Sequence, residues 1–380
     1  MGVLLNKDIS LIEAQIYGGN FPHSVMLAGE KYSGRLTVAL EIARLLSCLN
    51  DKTRECRCRS CRSYDDYTMD NVIVLGSRDY KTRLNAALNS YAILKTDKSY
   101  KELLKTIRLL LLRFNANIET KEQNKLNASA ALGELLLSVE ENSEKNFKLI
   151  KSGLKQSEVL TNKESPLTIN QIRDIQKWVN QTNFGNRNRF VILEELESCS
   201  EGAANSLLKL LEEPPKNTYI IVIGENPAKL LATLLSRLRL YRIPSFNEQQ
   251  KNEILRDNYF VDGSTYSSLE EFILERGNVA TKELKNAATQ FCNAIVNKTD
   301  LKREELEAIS SLVDETVSLK YFLDELIISL GDLFKNGKIS MSVAQRYSNF
   351  TKESVNKALV YNQNSRLLID SLYYRLMGEV

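Results

Sequence analysis

Histidine is almost missing from this chain: His23 is the single one among 380 residues. It cannot form a catalytic triad without a second signal, and neither a G-x-S-x-G nor an H-E-x-x-H motif is present. A structural role is therefore the expectation for His23, which stands just before a short apolar run. Long apolar runs are missing too. The densest, Leu109–Leu112, is bracketed by Arg108 and Arg113, far short of the ~20 apolar residues that span a bilayer. The first residues show no basic stretch followed by an apolar core and a small-residue cleavage site. Met1-Gly2 has Asn6 where a myristoylation pattern needs Ser or Thr. Secretion and membrane attachment are thus not expected, and a cytoplasmic protein is. Charge of one sign is also lacking: 51 basic and 48 acidic residues leave a net +3. That is no dense basic face for nucleic acid, although a local patch can sit within a balanced total.

The remaining composition, 43% hydrophobic and 26% charged, is that of a soluble globular protein. A chain of 380 residues exceeds one ordinary core and suggests two or three domains. Four of the six cysteines fall between Cys48 and Cys61, and Cys199 and Cys292 stand far apart. Such clustering without a secretory signal argues for a metal site rather than disulfides. Cys48, Cys56, Cys58 and Cys61 offer the four thiolates of a closed, structural zinc site. The C-x-C gap strains simultaneous ligation by Cys56 and Cys58, which leaves a three-cysteine site or free buried thiols open. Arg54, Arg57, Arg59 and Arg62 are expected to lower the thiol pKa values.

Apolar periodicity organises the rest. Residues 9–20 have helical spacing, Val25–Ala28 reads as a buried strand, and Thr37–Leu46 as a helix. Between strand and helix stands Gly29-Glu-Lys-Tyr-Ser-Gly34-Arg35-Leu36. A working P-loop reads G-x-x-x-x-G-K-[ST], with lysine on the β/γ-phosphates and the hydroxyl on Mg²⁺. Arg35 and Leu36 occupy those two positions. Asn71–Leu75 reads as a second strand. About 77–164 is a charged, helix-rich insertion with no proline before Pro166. It reads as a helical addition to a core domain or as a docking arm. Its Lys95, Lys98, Lys101, Lys105, Lys121 and Lys125 read as a solvated face. From Leu167 the alternation resumes, with a helix at 169–179 and a strand at Phe190–Leu193 ending in Glu194-Glu195. A helix at Ala203–Leu211 is stopped by Pro214-Pro215; a strand at Tyr219–Ile223 and a helix at Lys229–Leu235 follow. Strands alternating with helices imply a parallel sheet covered on both faces. Beyond Pro244 only helical patterns follow. Tyr321, Phe322, Leu326, Ile327, Leu330 and Leu333 form one stripe; Leu367, Leu368, Leu372, Tyr373 and Leu376 form another.

The run Asn205-Ser-Leu-Leu-Lys-Leu-Leu-Glu-Glu-Pro-Pro215, then a strand, then Leu235-Ser236-Arg237, resembles the clamp-loader family of bacterial DNA polymerase III. That family has N-A-L-L-K-x-L-E-E-P-P, a strand and S-R-C. The cysteine cluster and Asn362-x-Asn364-x-x-Leu add to the resemblance, which covers the chain apart from the insertion. It implies an α/β AAA+ P-loop-type domain over 1–244, with the zinc module near 48–61. A small helical lid over 245–292 and a helical collar over 293–380 complete the expected all-α part. It also implies that Arg237, with Ser236, is an arginine finger for a neighbour's ATP. The reading of the residues alone leaves open that Arg237 pairs with an acid of its own fold. Leu238 replaces the family's cysteine, which is not the chemical group. The family's metal-and-water pair is Glu194-Glu195 here, and Gly224-Glu225 stands for its polar sensor. Gly277-Asn-Val-Ala280 puts Ala280 where ATPase members carry a sensing arginine, and the R-P-x-x-F and G-Q adenine-side segment is missing.

These departures resemble the delta-prime branch, whose site is characteristically dead. The expectation is an ATPase-inactive stator in a ring with gamma/tau and delta subunits, acting through the complex on the sliding clamp and primed DNA. Zinc is its expected cofactor. One rival is an active gamma/tau-like ATPase with a divergent loop. The other is a pure interaction protein that works through the insertion.

Overall fold

The computed structural model describes residues 7–76, 78–114, 118, 123–161, 167–181, 187–361 and 364–378. Asn362, Lys121, Pro166 and Asn6 lie outside them. The chain divides into two compact units, residues 1–273 and 274–380.

The first unit is built on five parallel strands. They are β1 (Ser24–Ala28), β2 (Val72–Leu75), β3 (Arg189–Glu194), β4 (Thr218–Gly224) and β5 (Arg239–Arg242), in the order β2-β3-β4-β1-β5. The helices of this unit are α1 (Lys7–Tyr17), α2 (Arg35–Ser47), α3 (Arg59–Asp65), α4 (Tyr80–Leu94), α5 (Asp97–Leu111), α6 (Gln123–Ser138), α7 (Glu144–Gln156), α8 (Ile169–Asn180), α9 (Glu201–Glu212), α10 (Ala232–Leu235) and α11 (Glu248–Tyr259); α12 (Leu269–Arg276) runs across the division at Ile273.

Strand side chains alternate between two faces. Val25, Leu27, Val72, Val74, Ile221 and Ile223 pack with α1 and α2. Met26, Ile73, Leu75, Val191, Ile220 and Val222 pack with α8 and α9 on the other face. Burial on both faces is why the central strands are continuous apolar runs rather than alternating ones. This is the parallel sheet covered on both faces that the alternation of strands and helices implied.

Local chemistry sets the helix ends. Asp79 accepts from the Thr82 amide at 3.1 Å and starts α4. Thr96 with Ser99, and Thr168 with Gln171, form capping boxes on α5 and α8. Pro214-Pro215 ends α9. Helices α4 to α7 make a core of their own, with Tyr80, Leu103, Ile107, Leu110, Leu132 and Ile150 buried. Lys95, Lys98 and Lys101 are exposed, as a solvated face requires, whereas Lys105 and Lys125 are half-buried.

Two expectations need correction. The expected helix over Lys229–Leu235 is a 3-10 turn at Pro227–Lys229 followed by the single-turn α10, because Pro227 suits only the start of a helix. Sequence reading missed β5. Its Arg-Leu-Tyr-Arg lacks an apolar run because it is an edge strand, with only Tyr241 fully buried.

The second unit packs α13 (Thr281–Asn297), α14 (Arg303–Leu312), α15 (Thr316–Lys335), α16 (Met341–Tyr361) and α17 (Ser365–Gly378) around one core. Phe291 meets Phe322 and Tyr373 edge-on, with centroids 5.7 and 5.4 Å away. The division between units falls inside the stretch expected as a lid, because α13 buries Leu284, Phe291 and Ile295 among the C-terminal helices. Leu368, Leu372, Tyr373 and Leu376 are buried as the stripe requires, whereas Leu367 is exposed. No described helix is long and apolar enough to cross a membrane.

Gly76 joins β2 to the insertion at φ 152°, and a Cβ there would stand 2.6 Å from Glu194 Cβ and 2.8 Å from its carbonyl oxygen. Gly76→Ala is expected to destabilise the first unit by about 2–4 kcal/mol through strain and overpacking, read by urea denaturation. An unchanged midpoint would refute this close approach.

Candidate functional site

In an open parallel sheet, ligands are held beyond the carboxyl ends of the strands. The loop after β1 keeps the P-loop path there. Gly34 takes the left-handed conformation at φ 81° and caps α2 without a side-chain hydrogen bond. The chemistry, however, has changed. Leu36 is buried among Val25, Leu27 and Val38, where a leucine contributes ~1.5–3 kcal/mol of burial and no oxygen. The buried Ser33 hydroxyl finds no hydrogen-bond partner among the described residues. Arg35 is half-buried at the first turn of α2. Burial lowers its pKa, against the opposing pull of Glu225.

The two expected metal-site glutamates diverge. Glu194 closes β3 with a side chain only 6% exposed, and Arg78 faces it with 17%. Arg78 Nε donates to Glu194 Oε2 at 2.9 Å and Arg78 Nη2 donates to Oε1, so both carboxylate oxygens are engaged. Burial acts to raise the Glu194 carboxyl, but Arg78 above all, then Arg83 and Arg113, hold it below the usual range. Glu195 is exposed, at φ 56°. Beside the expected sensor position, the Glu225 amide donates to Glu197 Oε1 at 3.4 Å, and burial raises the Glu197 carboxyl.

Ser236 and Arg237 follow α10. Arg237 Nε donates to Glu212 Oε1 at 2.6 Å, its Nη2 donates to the same oxygen, and its Nη1 donates to the Thr233 carbonyl at 2.6 Å. The pairing with an acid of its own fold is thus present, with the partners 30% and 46% exposed. An exposed pair of this kind is worth ~0–1 kcal/mol. Arg237 lines an open cleft of about 480 Å³ with Pro22, His23, Ser24 and Glu212. Those first three residues lead into β1, whereas the P-loop leaves its far end. Five strand residues separate them by roughly 13–16 Å. Arg237 and the chain's own loop therefore lie at opposite ends of the sheet. His23 Nδ1 lies 2.7 Å from the Thr218 carbonyl oxygen, and its ring stacks on Tyr219 at 4.7 Å, the structural role expected of it.

The four clustered cysteines converge. The Sγ atoms of Cys48, Cys56, Cys58 and Cys61 lie within 4.8 Å of one another, and those of Cys48 and Cys56 are 3.5 Å apart. Four sulfurs at ~2.3 Å from one zinc would stand just under 4 Å apart, so the set fits a tetrahedral ion. The C-x-C gap brings no visible loss, since Cys56 and Cys58 both reach the cluster. Burial acts to raise the Cys58 thiol, but the amides of Cys61 and Leu49 outweigh it and bring the pKa to about 6. The arginine that reaches a thiol is not one of the four expected. Arg54 pairs with Glu13 and Arg57 with Asp65, while Arg44 of α2 donates to Cys61 Sγ at 3.2 Å and to the Thr53 carbonyl. When bound, zinc would be structural, tying the end of α2 to α3.

Sequence reading missed Arg78, Arg83, Arg113, Arg44 and Glu212. The signal available for Arg78 was its place two residues beyond Gly76, at the carboxyl end of a buried strand.

The family described as DNA polymerase III, delta subunit, matches the chain over residues 5–247. The DNA polymerase III subunit delta' of Haemophilus influenzae is 38% identical over 94 residues, 25% of this chain and 29% of that protein. The delta' subunit of Bacillus subtilis is 33% identical over 128 residues, 31% of this chain and 37% of that protein. The tau subunit of Bacillus subtilis is 25% identical over 207 residues, 54% of this chain and 33% of that protein. The chain thus aligns with 29–37% of the length of these relatives.

Two measurements follow from this geometry. Metal analysis is expected to give one zinc per chain, and chelation to lower the melting temperature of the first unit by ~3 °C or more, as for a loss of about 1–2 kcal/mol. A Cys58→Ser/Cys61→Ser chain should neither hold zinc nor respond to chelator; metal retained at full stoichiometry would refute the site. Arg78→Met should destabilise by about 3 kcal/mol, because it leaves Glu194 buried without its main partner. Since the Glu194 pKa is depressed in the fold, this contribution is present above its unfolded pKa and lost as pH falls through the folded one. The deficit of Arg78→Met should therefore shrink at acid pH, and a deficit unchanged with pH would count against the pair.

Proposed function

The chain belongs to the DNA polymerase III delta subunit family, and from that premise we propose that it is the delta-prime-like stator of a replicative clamp loader. In this reading it hydrolyses no ATP. It joins gamma/tau and delta subunits in a hetero-oligomeric ring, presents Arg237 to the ATP of an adjacent gamma/tau subunit, and helps the complex place the sliding clamp on primed DNA. The lid role of residues 245–292 and the collar role of 293–380 belong to the same proposal. The compact helical unit that begins at Leu274 would supply the collar together with the last part of the lid.

The observation that carries the reading is the separation of Arg237 from the chain's own loop along β1. A guanidinium at the other end of the sheet cannot serve the site of its own subunit, but it can face the site of another. Guanidinium is suited to that task, since its planar, permanent charge matches phosphoryl oxygens and the charge that develops during transfer. Its bond to Glu212 is half-exposed and weak enough to be exchanged for a phosphate. The dead-site half of the reading is supported by the buried Leu36, which offers magnesium no oxygen. A gamma/tau-like ATPase would need a ligand there.

The test is ATP turnover stimulated by primed DNA and clamp in a reconstituted complex, with the isolated chain as control. The isolated chain should be inert. Arg237→Ala should lower turnover at the adjoining site by roughly 10²-fold or more, as loss of a transition-state donor does, and Arg237→Lys should restore little of it. Hydrolysis by the isolated chain would make it an enzyme. Full turnover with Arg237→Ala would leave the chain a structural partner only.

A further inference from the structure

Three arginines of the helical insertion converge on the strand ends where a nucleotide site of this fold lies. Arg78 grips Glu194 at the end of β3. Arg83 of α4 lies over the ring of Tyr32 in the P-loop remnant, 4.7 Å from its centroid. Arg113, just past α5, donates to the Gly76 carbonyl at 2.8 Å and lies 4.7 Å from the centroid of the Tyr80 ring. Each arginine reaches a different wall: the loop after β1, the end of β2 and the end of β3.

We propose that the insertion is a built-in occupant of this degenerate site. Its arginines hold the three walls together without nucleotide and bar a magnesium–nucleotide complex from Glu194. The proposal rests on the reading that the chain is not an ATPase, and it says what took the ligand's place.

In a working P-loop site the ligand itself joins the walls: the metal bridges phosphate oxygens, while loop and acid surround it. Here a guanidinium supplies the positive charge that the acid needs, permanently and in planar two-point contact. Both Glu194 oxygens are already bonded, so neither is open to a magnesium shell, which demands near-ideal octahedral oxygen ligation. Arg35, Arg83 and Arg113 act on the same carboxylate electrostatically. A divalent cation approaching Glu194 would meet their combined field. The local chain makes this arrangement permanent. Gly76 packs directly on Glu194, Arg78 follows two residues later, and Asp79 then caps α4. The gripping side chain is thus fixed between a strand and a capped helix rather than carried on a long loop. Repair of the P-loop alone should therefore not restore nucleotide binding.

The experiment uses the full chain and two readouts. Hydrogen exchange is compared between the natural chain and Arg78→Met/Glu194→Gln, which removes both charges and leaves no lone buried acid. Amides of residues 29–36 should exchange at least tenfold faster in the double variant, while those of 281–335 keep their rates. Equal exchange at 29–36 would overturn the proposal. Binding of a fluorescent Mg-ATP analogue is then compared between Arg35→Lys/Leu36→Thr and the same chain carrying Arg78→Met as well. Removing Arg78 should tighten binding at least tenfold. Equal affinity, or no binding by either, would overturn the proposal while the natural chain stays inert and the stator reading stands. Mg-ATP binding by the natural chain would sink that reading and this one together. Micromolar binding of inorganic triphosphate by the natural chain in EDTA would make the arginine cluster an anion site and overturn its role as occupant.

Discussion

A carboxylate buried at the end of a central strand is the constraint on which this half of the molecule turns. Removing a lone carboxylate from water is costly enough that a protein neutralises it, pairs it or does not bury it. Glu194 is buried between β2 and β4, and Arg78 answers it from the first residues of the insertion. That single pairing explains several features at once. Gly76 must lack a side chain so that the strand end can lie against Glu194. The chain must turn there into a capped helix rather than a loop. The helices that follow then bring Arg83 and Arg113 over the same ground.

The sheet separates two chemistries by its polarity. All five described strands run the same way, so every carboxyl end, with its loop and acid, lies on one edge. The amino ends, with Pro22, His23 and Arg237, lie on the other. In the proposed reading, loss of metal chemistry at one edge therefore need not disturb the arginine at the other. Leu36 could move into the core, and a guanidinium could settle on Glu194, with the geometry around Arg237 still set by α9, α10 and the start of β1.

Much of this was legible in the residues, and what was not has identifiable causes. The buried strands announced themselves as apolar runs because both faces are covered. Strand β5 did not, since an edge strand that buries chiefly Tyr241 needs no such run. Arg35, Leu36, Glu194 and Arg237 could be singled out because each stands at a fixed offset in a local motif. Arg83 and Arg113 could not, because their meaning comes from tertiary convergence across a segment without a motif; Arg78 offered only its place after Gly76, at the end of a buried strand. The cysteine cluster was legible in composition but not in detail: spacing alone warned against Cys56 and Cys58 together, whereas the turn before α3 brings both sulfurs in. Arg44, the arginine nearest a thiol, comes from α2, outside the cysteine loop.

Burial decides how the two arginine–glutamate pairs differ in consequence. Arg78 with Glu194 and Arg237 with Glu212 use the same two groups, the first through both carboxylate oxygens and the second through one. The first is enclosed, so separating its partners strands a charge in a medium that cannot solvate it. The second stands partly in water, where the freed guanidinium and carboxylate are both resolvated and little is lost. The buried pair is therefore suited to hold a site in one state, and the exposed pair to release its arginine when a more highly charged acceptor arrives. In the proposed stator a triphosphate on another subunit would be such an acceptor, its oxygens competing for the same fork of donors. One molecule can thus carry a permanent contact at one edge of its sheet and an exchangeable one at the other without any difference in the chemistry of the side chains.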